Sequence, residues 1–505
     1  MMQHLSFLPI LLPMLAGVTL LMPPFGSHKK IRRIASVTMS IVVFFASLAL
    51  LLKVQTDGVV VYAIGDWSAP FGIVLVADAL STLLVCLTTL LGVVCTLYAS
   101  AGDDEKGSFF HPLTHFLILG VNGAFLTGDA FNLFVFFEVL LIASYSLLMH
   151  GGDKKNTRAA LQYVIMNLVG SAIFLIALGV LYGVLGTLNM ADMAQQVSQL
   201  QGDDVYLAKI GGLLLLVVFA LKGALLPLHL WLPNTYATAM PVVAALFAIM
   251  TKVGVYSMMR VYTLIFGDEA GELSHMAQSW LWWFALATIA VGAVGVLASK
   301  SLRKLTANLV IVSVGTLVAL VAIQTVEASA AAIYYLIHST LVTAALFLLA
   351  DLIGRQRGKY TDQITAGHAI MQPRLLGCCF LVAAVTVIGM PPLSGFIAKV
   401  WLLKETLHAN YAFVFWPLYL IASLAVLVGV TKAGVTLFWR HQNTVLANNE
   451  QQGVNLPQII ALLILIVAAP LMSIFAGPLS EYALGAASQL HDFNDNIDMI
   501  LSGGQ

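Results

Sequence analysis

Apolar residues run through this chain in long blocks, without the polar face that gives a soluble helix its stripe. Blocks long enough to cross the hydrocarbon layer, about 20 residues each, fall at residues 5–25, 31–53, 73–99, 110–127, 130–150, 157–185 and 206–226. They continue at 241–265, 277–299, 303–324, 329–351, 374–408, 411–439 and 456–478. The pattern predicts an all-α polytopic membrane protein with about 14 transmembrane helices. Residues 227–240 are too short and too proline-rich to cross alone, and read as a reentrant or surface continuation of the seventh block.

Two blocks are interrupted. In ALKGALLPLHLWLP (220–233), Pro227 cannot donate to the helix ladder, and its ring crowds the carbonyl of Gly223. In VIGMPPLSGFIAKVWLLKE (387–405), Gly389, Pro391, Pro392 and Gly395 break the twelfth block. The seventh and twelfth blocks lie five helices apart, so they cross in opposite senses. Paired breaks at corresponding places in two halves point to an ion pathway near the midplane. The predicted organisation is one membrane domain, 1–505. Within it lie a three-helix N-terminal segment (1–105), two inverted five-helix repeats (110–265 and 277–440), each a half-channel with one broken helix, and a C-terminal helix and tail (441–505).

Composition agrees with this pattern: 60% of residues are hydrophobic and 10% charged, against about 25% charged in soluble domains. The formal net charge is zero, which excludes a nucleic-acid partner and leaves the lipid bilayer. The four cysteines (Cys86, Cys95, Cys378, Cys379) lack metal-ligand spacing and read as small core residues. Gly179, Gly183 and Gly186 read as close helix packing. No phosphate loop, haem motif or dinucleotide fingerprint is present, so no cofactor and no metal site is expected. Sixteen of the 24 Lys and Arg residues fall in alternate loops: Lys29 to Arg33, Lys106, Lys154 to Arg158, Lys300 to Lys304, Arg355 to Arg374, and Arg440. If those loops are cytoplasmic, both termini lie outside the cytoplasm, in a bacterial inner membrane. Lys53, Lys209 and Arg260 fall at the opposite side.

The five remaining lysines lie within or near the ends of blocks. Insertion scales put a central lysine at about 2.5–3.5 kcal/mol against membrane insertion. Lys252 stands about 12 residues into its block, roughly 18 Å deep, too far to snorkel fully to an interface. Lys222 precedes the first break, and Lys399 follows the second. Glu138 is the one acid centred in a block, and His338 falls mid-helix in another. These five are the candidate proton-transfer residues, against a plainer reading as satisfied or snorkelling groups. His229 near the break, Lys404 beside Glu405, Lys304 at a helix edge and Lys432 near a helix end are weaker candidates; His115 and His408 are weaker still. Asp78 reads as a cap or interface residue.

The chain resembles the antiporter-like membrane subunits shared by Mrp-type multisubunit cation/proton antiporters and respiratory complex I. FNLFVFFEVLLIASY is similar to that family's glutamate-bearing fifth helix, and ALKGALLPLHLWLPNTYATAMPVVAALFAIMTKVGVY to its lysine-bearing seventh and eighth. PPLSGFIAKVWLL is similar to its broken twelfth helix. The stretch GDWSAPFGIVLVADALS (65–81) looks most like the D-type branch of the Mrp antiporters.

The resemblance implies that Glu138 and Lys222 are a coupled acid–base pair, Lys252 the central carrier, His338 a relay and Lys399 the terminal carrier. Thr343 stands where many relatives have a lysine, which shifts weight onto His338 and water. The resemblance also implies partner subunits of A, B, C, E, F and G type, and transport of H+ and Na+. The alternatives are an M- or N-type pumping subunit of complex I, a free-standing secondary transporter, or a membrane enzyme. An enzyme would need a nucleophile or metal constellation that no stretch supplies.

Overall fold

The computed structural model describes residues 4–107, 109–150, 154–407, 412–440 and 453–501; His408 and the side chains of Lys154 and Lys155 lie outside the described residues. The N-terminal segment holds α1 (Leu8–Leu21), α2 (Lys29–Asp57), a hairpin of β1 (Val60–Ala63) and β2 (Val74–Ala77), and α3 (Ala79–Ala99). The first half continues with α4 (Phe110–Leu126), α5 (Ala130–Met149), α6 (Lys154–Leu185), α7 (Met190–Val197), α8 (Asp203–Gly223), α9 (Leu232–Thr238), α10 (Pro241–Phe247) and α11 (Met250–Leu264). The second half holds α12 (Gln278–Ala298), α13 (Leu302–Val321), α14 (Val326–Gln356), α15 (Pro373–Ile388), α16 (Ser394–Thr406) and α17 (Ala412–Trp439). The chain ends in α18 (Leu456–Ile474), α19 (Ala476–His491) and α20 (Phe493–Leu501).

Among the described residues, eleven helical stretches are long and apolar enough to cross a membrane, and three shorter apolar helices (α1, α4, α15) bring the set to fourteen. The sequence pattern predicts each of them. Burial sorts them into layers. The stretch Pro241–Leu264, α13 and α14 are enclosed almost wholly by other helices, whereas α2 and α17 turn most of their surface outward. The helices that bear Lys252 and His338 are therefore the innermost.

Both predicted breaks are present and built alike. Ala224 ends α8 in the left-handed conformation (φ 60°), with Leu225 N–H bonded to Ala220 O at 2.8 Å. Gly389 ends α15 in the same conformation (φ 80°), with Met390 N–H bonded to Val385 O at 3.1 Å. Each is a C-terminal cap that satisfies carbonyls the break would orphan. A proline stands three residues beyond each cap, Pro227 and Pro392. After the first break, Leu228–Trp231 forms a 3-10 turn that leads into α9. Partners from elsewhere complete the backbone there: Trp231 Nε1 donates to Leu221 O at 3.1 Å, and Leu226 N–H donates to Thr288 Oγ of α12 at 2.9 Å.

Several expectations are corrected. Block 241–265 is two helices: the chain tightens at Ala248 and Ile249, with Lys252 N–H bonded to Ile249 O at 2.9 Å in an i to i−3 pattern. A third irregularity thus sits one turn before Lys252. The C-terminal tail is helical, because α19 and α20 have surfaces to cover: α19 packs on α14 and α3, and α20 on α7. Tyr482 Oη of α19 donates to Ala79 O at 2.7 Å. The N-terminal segment is not purely helical, since the β1–β2 hairpin pairs Val60 with Ala77 through Ala63 with Val74. Gly179 and Gly183 face open space, not a packed neighbour, and Cys378 is exposed.

Arg260 is also misplaced by the loop count. It lies inside α11, 7% exposed, hydrogen-bonded to Asp78, which is 2% exposed and caps α3 through Ser81 N–H at 2.7 Å. Arg260 also donates to Tyr256 Oη at 3.2 Å, and Tyr256 Oη donates to Phe125 O at 2.7 Å. The charge is tolerated inside because a carboxylate neutralises the guanidinium and a hydroxyl shares its hydrogen bonds. Arg260→Met leaves Asp78 buried alone, which should cost about 3–5 kcal/mol. The expected result is a lowered Tm for the purified complex, largely restored in the double variant with Asp78→Asn. A single variant as stable as the double would contradict it.

Four of the six predicted basic loops meet one another, those at 29–33, 103–106, 300–304 and 355–374. Arg33 holds Asp104 through two bonds of 2.8 and 2.6 Å, Arg355 pairs with Asp103, and Arg303 pairs with Asp362 at 3.1 Å. Burial works against charge on Asp104, but hydrogen bonds from His111 and Arg33 outweigh it and hold that carboxyl well below the usual carboxylate range.

Candidate functional site

The five principal candidates fall on five helices spread across the bundle. Glu138 is on α5, Lys222 on α8, Lys252 on α11, His338 on α14 and Lys399 on α16. Lys222 is 5% exposed, Lys252 1% and His338 4%.

Glu138 and Lys222 do not touch. Among the described residues, no nitrogen–oxygen approach within 4.0 Å joins them. The helix between them, α6, supplies a bridge. Ser171 Oγ donates to the Glu138 carboxylate, and Asn167, one turn earlier, takes Lys222 Nζ on its Oδ1 at 3.2 Å. Ser171 and Asn167 of α6 thus stand between the two groups, and the Lys222 ammonium lies 5.8 Å from the centre of the Phe137 ring. Lys222 and Lys252 are linked through their backbones. A Cβ on Gly254 would meet Gly223 N at 2.6 Å, so only glycine lets α11 cross α8 beside Lys222.

Lys252 Nζ donates to Ser313 Oγ of α13 at 2.8 Å. Ser313 in turn lines a cavity of about 30 Å³ that is also walled by His338, Thr343, Lys399 and Ser423. That volume suits about two waters. His338 Nδ1 meets Ser394 Oγ at 3.0 Å, at the start of α16. Lys399 Nζ donates to Ser423 Oγ at 3.2 Å and to Ile388 O at 2.8 Å. Ile388 is the last residue of α15, so the ammonium rests on the negative end of a half-helix. Two glycines permit the fit. A Cβ on Gly389 would strike Lys399 Cδ at 2.5 Å, and one on Gly395 would overlap Thr386 O at 1.9 Å and crowd His338 Cε1 at 3.0 Å.

One chemical feature unites the line. Each ionisable group is met by a serine or an asparagine and not by an opposite charge. A hydroxyl can accept from an ammonium and donate to an amine, and an amide holds both functions. Such partners suit a group in either protonation state, whereas the Asp78–Arg260 pair fixes both charges. Serines and asparagines of this kind do not stand out in an apolar sequence, so Asn167, Ser171, Ser313, Ser394 and Ser423 are visible only in the structure.

The weaker candidates stand apart from the line. Lys404 is exposed and lies 3.5 Å from Glu405, an interfacial pair. Lys304 and Lys432 are exposed on the flanks of α13 and α17. His229 is buried in the turn after the first break, and its Nδ1 has no hydrogen-bond partner among the described residues. No group of three His, Cys, Asp or Glu among the described residues could hold a metal ion.

A helix bundle with two broken helices, opposed in sense and flanking a line of buried Lys and His that runs between a half-buried Glu and a half-buried Lys, is an ion-translocating type of membrane protein. The family described as "NADH:quinone oxidoreductase/Mrp antiporter, TM" matches residues 127–427, and the chain belongs to it. It is 37% identical to the D subunit of a Na(+)/H(+) antiporter of Alkalihalophilus pseudofirmus, over 99% of this chain and 100% of that one. It is also 37% identical to the D subunit of a probable K(+)/H(+) antiporter of Rhizobium meliloti, over 97% and 96% of the two chains. In a solved Mrp complex from Dietzia sp., a chain of 26% identity superposes with a TM-score of 0.87 over 99% of both chains.

Proposed function

We propose that this chain is the D-type, proton-translocating subunit of a multisubunit monovalent-cation/proton antiporter. The observation that carries this reading is the line from Glu138 to Lys399, in which every ionisable group has a partner suited to both protonation states. The proton moves between nitrogen and oxygen atoms only, so no covalent intermediate is needed. Lys252 releases a proton toward Ser313, and water in the adjoining cavity passes it to His338 and then to Lys399. Reprotonation of Lys252 comes from the first half, where Ser171 and Asn167 relay the state of Glu138 to Lys222. The first and second repeats, about 110–265 and 277–440, act as the two half-channels.

The proposal extends to setting. The basic loops face the cytoplasm of a bacterial inner membrane, and both termini face outside. The partners are antiporter subunits of A, B, C, E, F and G type, and the ions are H+ and Na+; relatives named for Na+ and for K+ make the choice of cation a matter for measurement. The test uses everted vesicles from an antiporter-deficient host, with the chain expressed alone or with its neighbouring subunits. Collapse of the pH gradient on adding Na+ or K+ is expected only with the full set. Exchange by the chain alone would make it a free-standing transporter. Co-purification with quinone-reducing subunits would reassign it to complex I.

A further inference from the structure

The Glu138–Lys399 line leaves another buried group of ionisable side chains unused. It lies in the N-terminal segment, where α2 and α4 meet the loop at Asp103–Lys106. Asp104, His111, Ser36 and His115 are each at most 1% exposed. His111 Nε2 lies 3.3 Å from Asp104 Oδ2, His111 Nδ1 lies 2.9 Å from Ser36 Oγ, and Ser36 Oγ lies 3.2 Å from His115 Nε2. The result is one unbroken chain of hydrogen bonds, Asp104–His111–Ser36–His115. It starts at the rim, where Arg33 holds Asp104 and Arg32 lies 4.0 Å away. It ends inward at His115 Nδ1, which has no hydrogen-bond partner among the described residues.

Two imidazoles and a carboxylate are an expensive way to fasten two membrane helices; a small residue suffices where α11 crosses α8, with Gly254 against Gly223. The placement is also specific. His111 and His115 are four residues apart, so they share one face of α4 and meet the same hydroxyl. Every atom along the chain can donate in one state and accept in another. We propose that Asp104, His111, Ser36 and His115 form a second proton file, which takes up protons at the basic rim and delivers them into the α2–α4 segment, apart from the Glu138–Lys399 line. The transfer balances. A proton from the rim crosses the Asp104 carboxylate, which Arg33 keeps too weak a base to retain it, to His111 Nε2, and the Nδ1 proton of His111 passes to Ser36 Oγ. The original hydroxyl proton goes to His115 Nε2, and His115 releases the proton on Nδ1. One proton enters at the carboxyl and one leaves at the inner nitrogen; ring and hydroxyl rotations reset the file. Beyond it, Ser40 lies one turn along α2 and accepts a hydrogen bond from Thr96 Oγ at 3.2 Å, which extends the polar side of α2 inward. The charged groups around the rim are Arg32, Arg33, Lys29 and Glu105, with Asp103 held by Lys106 and Arg355.

The experiment measures initial rates of cation-driven proton movement in vesicles carrying the whole complex, over a range of rim-side pH, with assembled complex quantified in parallel. His115→Gln keeps an amide where Nε2 meets Ser36 but cannot take up and release a proton. It should slow exchange several-fold at normal assembly, most at alkaline pH, where protons are scarce. Ser36→Ala should do the same, and Ser36→Thr should keep the rate. A wild-type rate for His115→Gln at every pH removes the file. A fall that only tracks the amount of complex would make these residues a structural bolt and would equally overturn the proposal. The file rests on the proton-translocating reading, so an inactive wild-type complex would remove both, whereas an unaffected variant removes the file alone.

Discussion

Replacing Lys252 by alanine should abolish cation-dependent proton movement while the complex still assembles. The residue is 1% exposed and, among the described residues, its ammonium has one hydrogen-bond partner, Ser313. Assembly should survive because the substitution removes a buried charge that no opposite charge compensates. A well-packed apolar replacement for a buried ionic group is often neutral or stabilising. Transport should not survive, since alanine leaves no titratable group where Lys252 Nζ donates to Ser313 Oγ. Lys252→Arg separates charge from titration. A guanidinium keeps the charge and can bond the same hydroxyl, but it does not deprotonate in proteins. It should be as inactive as alanine. Exchange by Lys252→Arg near the wild-type rate would mean that a fixed charge suffices, which would end the carrier role.

The next largest effect should come from Asn167. On the proposed bridge through α6, removing the amide should mimic the loss of the pair. Glu138→Ala and Lys222→Ala should be non-additive in exchange rate, with a coupling of about 0.5–3 kcal/mol, the range for residues within one hydrogen-bond network. In an Asn167→Leu background that coupling should shrink toward zero, with both acid and base still present. Rates in everted vesicles for the single, double and triple variants provide the cycle. Persistence of the full coupling without Asn167 would show direct contact between Glu138 and Lys222 in the working protein and would exclude the bridge.

The contrast between two kinds of buried charge gives these expectations their basis. Asp78 and Arg260 neutralise each other and hold α3 against α11, so their loss should be read in stability. Lys222, Lys252, His338 and Lys399 have partners of no net charge, so their loss should be read in transport. Both groups look alike to a loop count, which sees only a charged residue inside or beside an apolar block. On that basis Arg260 falls at the outer side, and only the Asp78 side chain 182 residues earlier explains why it is inside.

Much of the site is legible in the sequence because a membrane penalises charge. Lys252, Lys222, Lys399, Glu138 and His338 stand out in apolar runs where each costs insertion free energy, and such residues persist only when they have work to do. The breaks are legible because Pro227 and Pro392 cannot continue a helix. The polar neighbours are not. Ser171, Ser313, Ser394 and Ser423 bear no charge and occur among many hydroxyls that bond only their own helix, as Thr88 Oγ does with Leu84 O at 2.7 Å. Nor does His111 stand out, because its significance depends on Ser36 and Asp104 from other elements.

By itself, the sequence determined the fourteen crossings, the two broken helices and the identity of the buried ionisable groups, because hydrocarbon excludes unpaired backbone and charge along the whole chain. The tertiary structure decided which groups meet. It separated Glu138 from Lys222 by a bridge, set Lys252 on Ser313 beside a cavity shared with His338 and Lys399, and joined Asp104 to His115 through Ser36. Those choices depend on how helices distant in sequence rotate and cross, at points such as Gly254 against Gly223. No periodicity within a single helix records that packing.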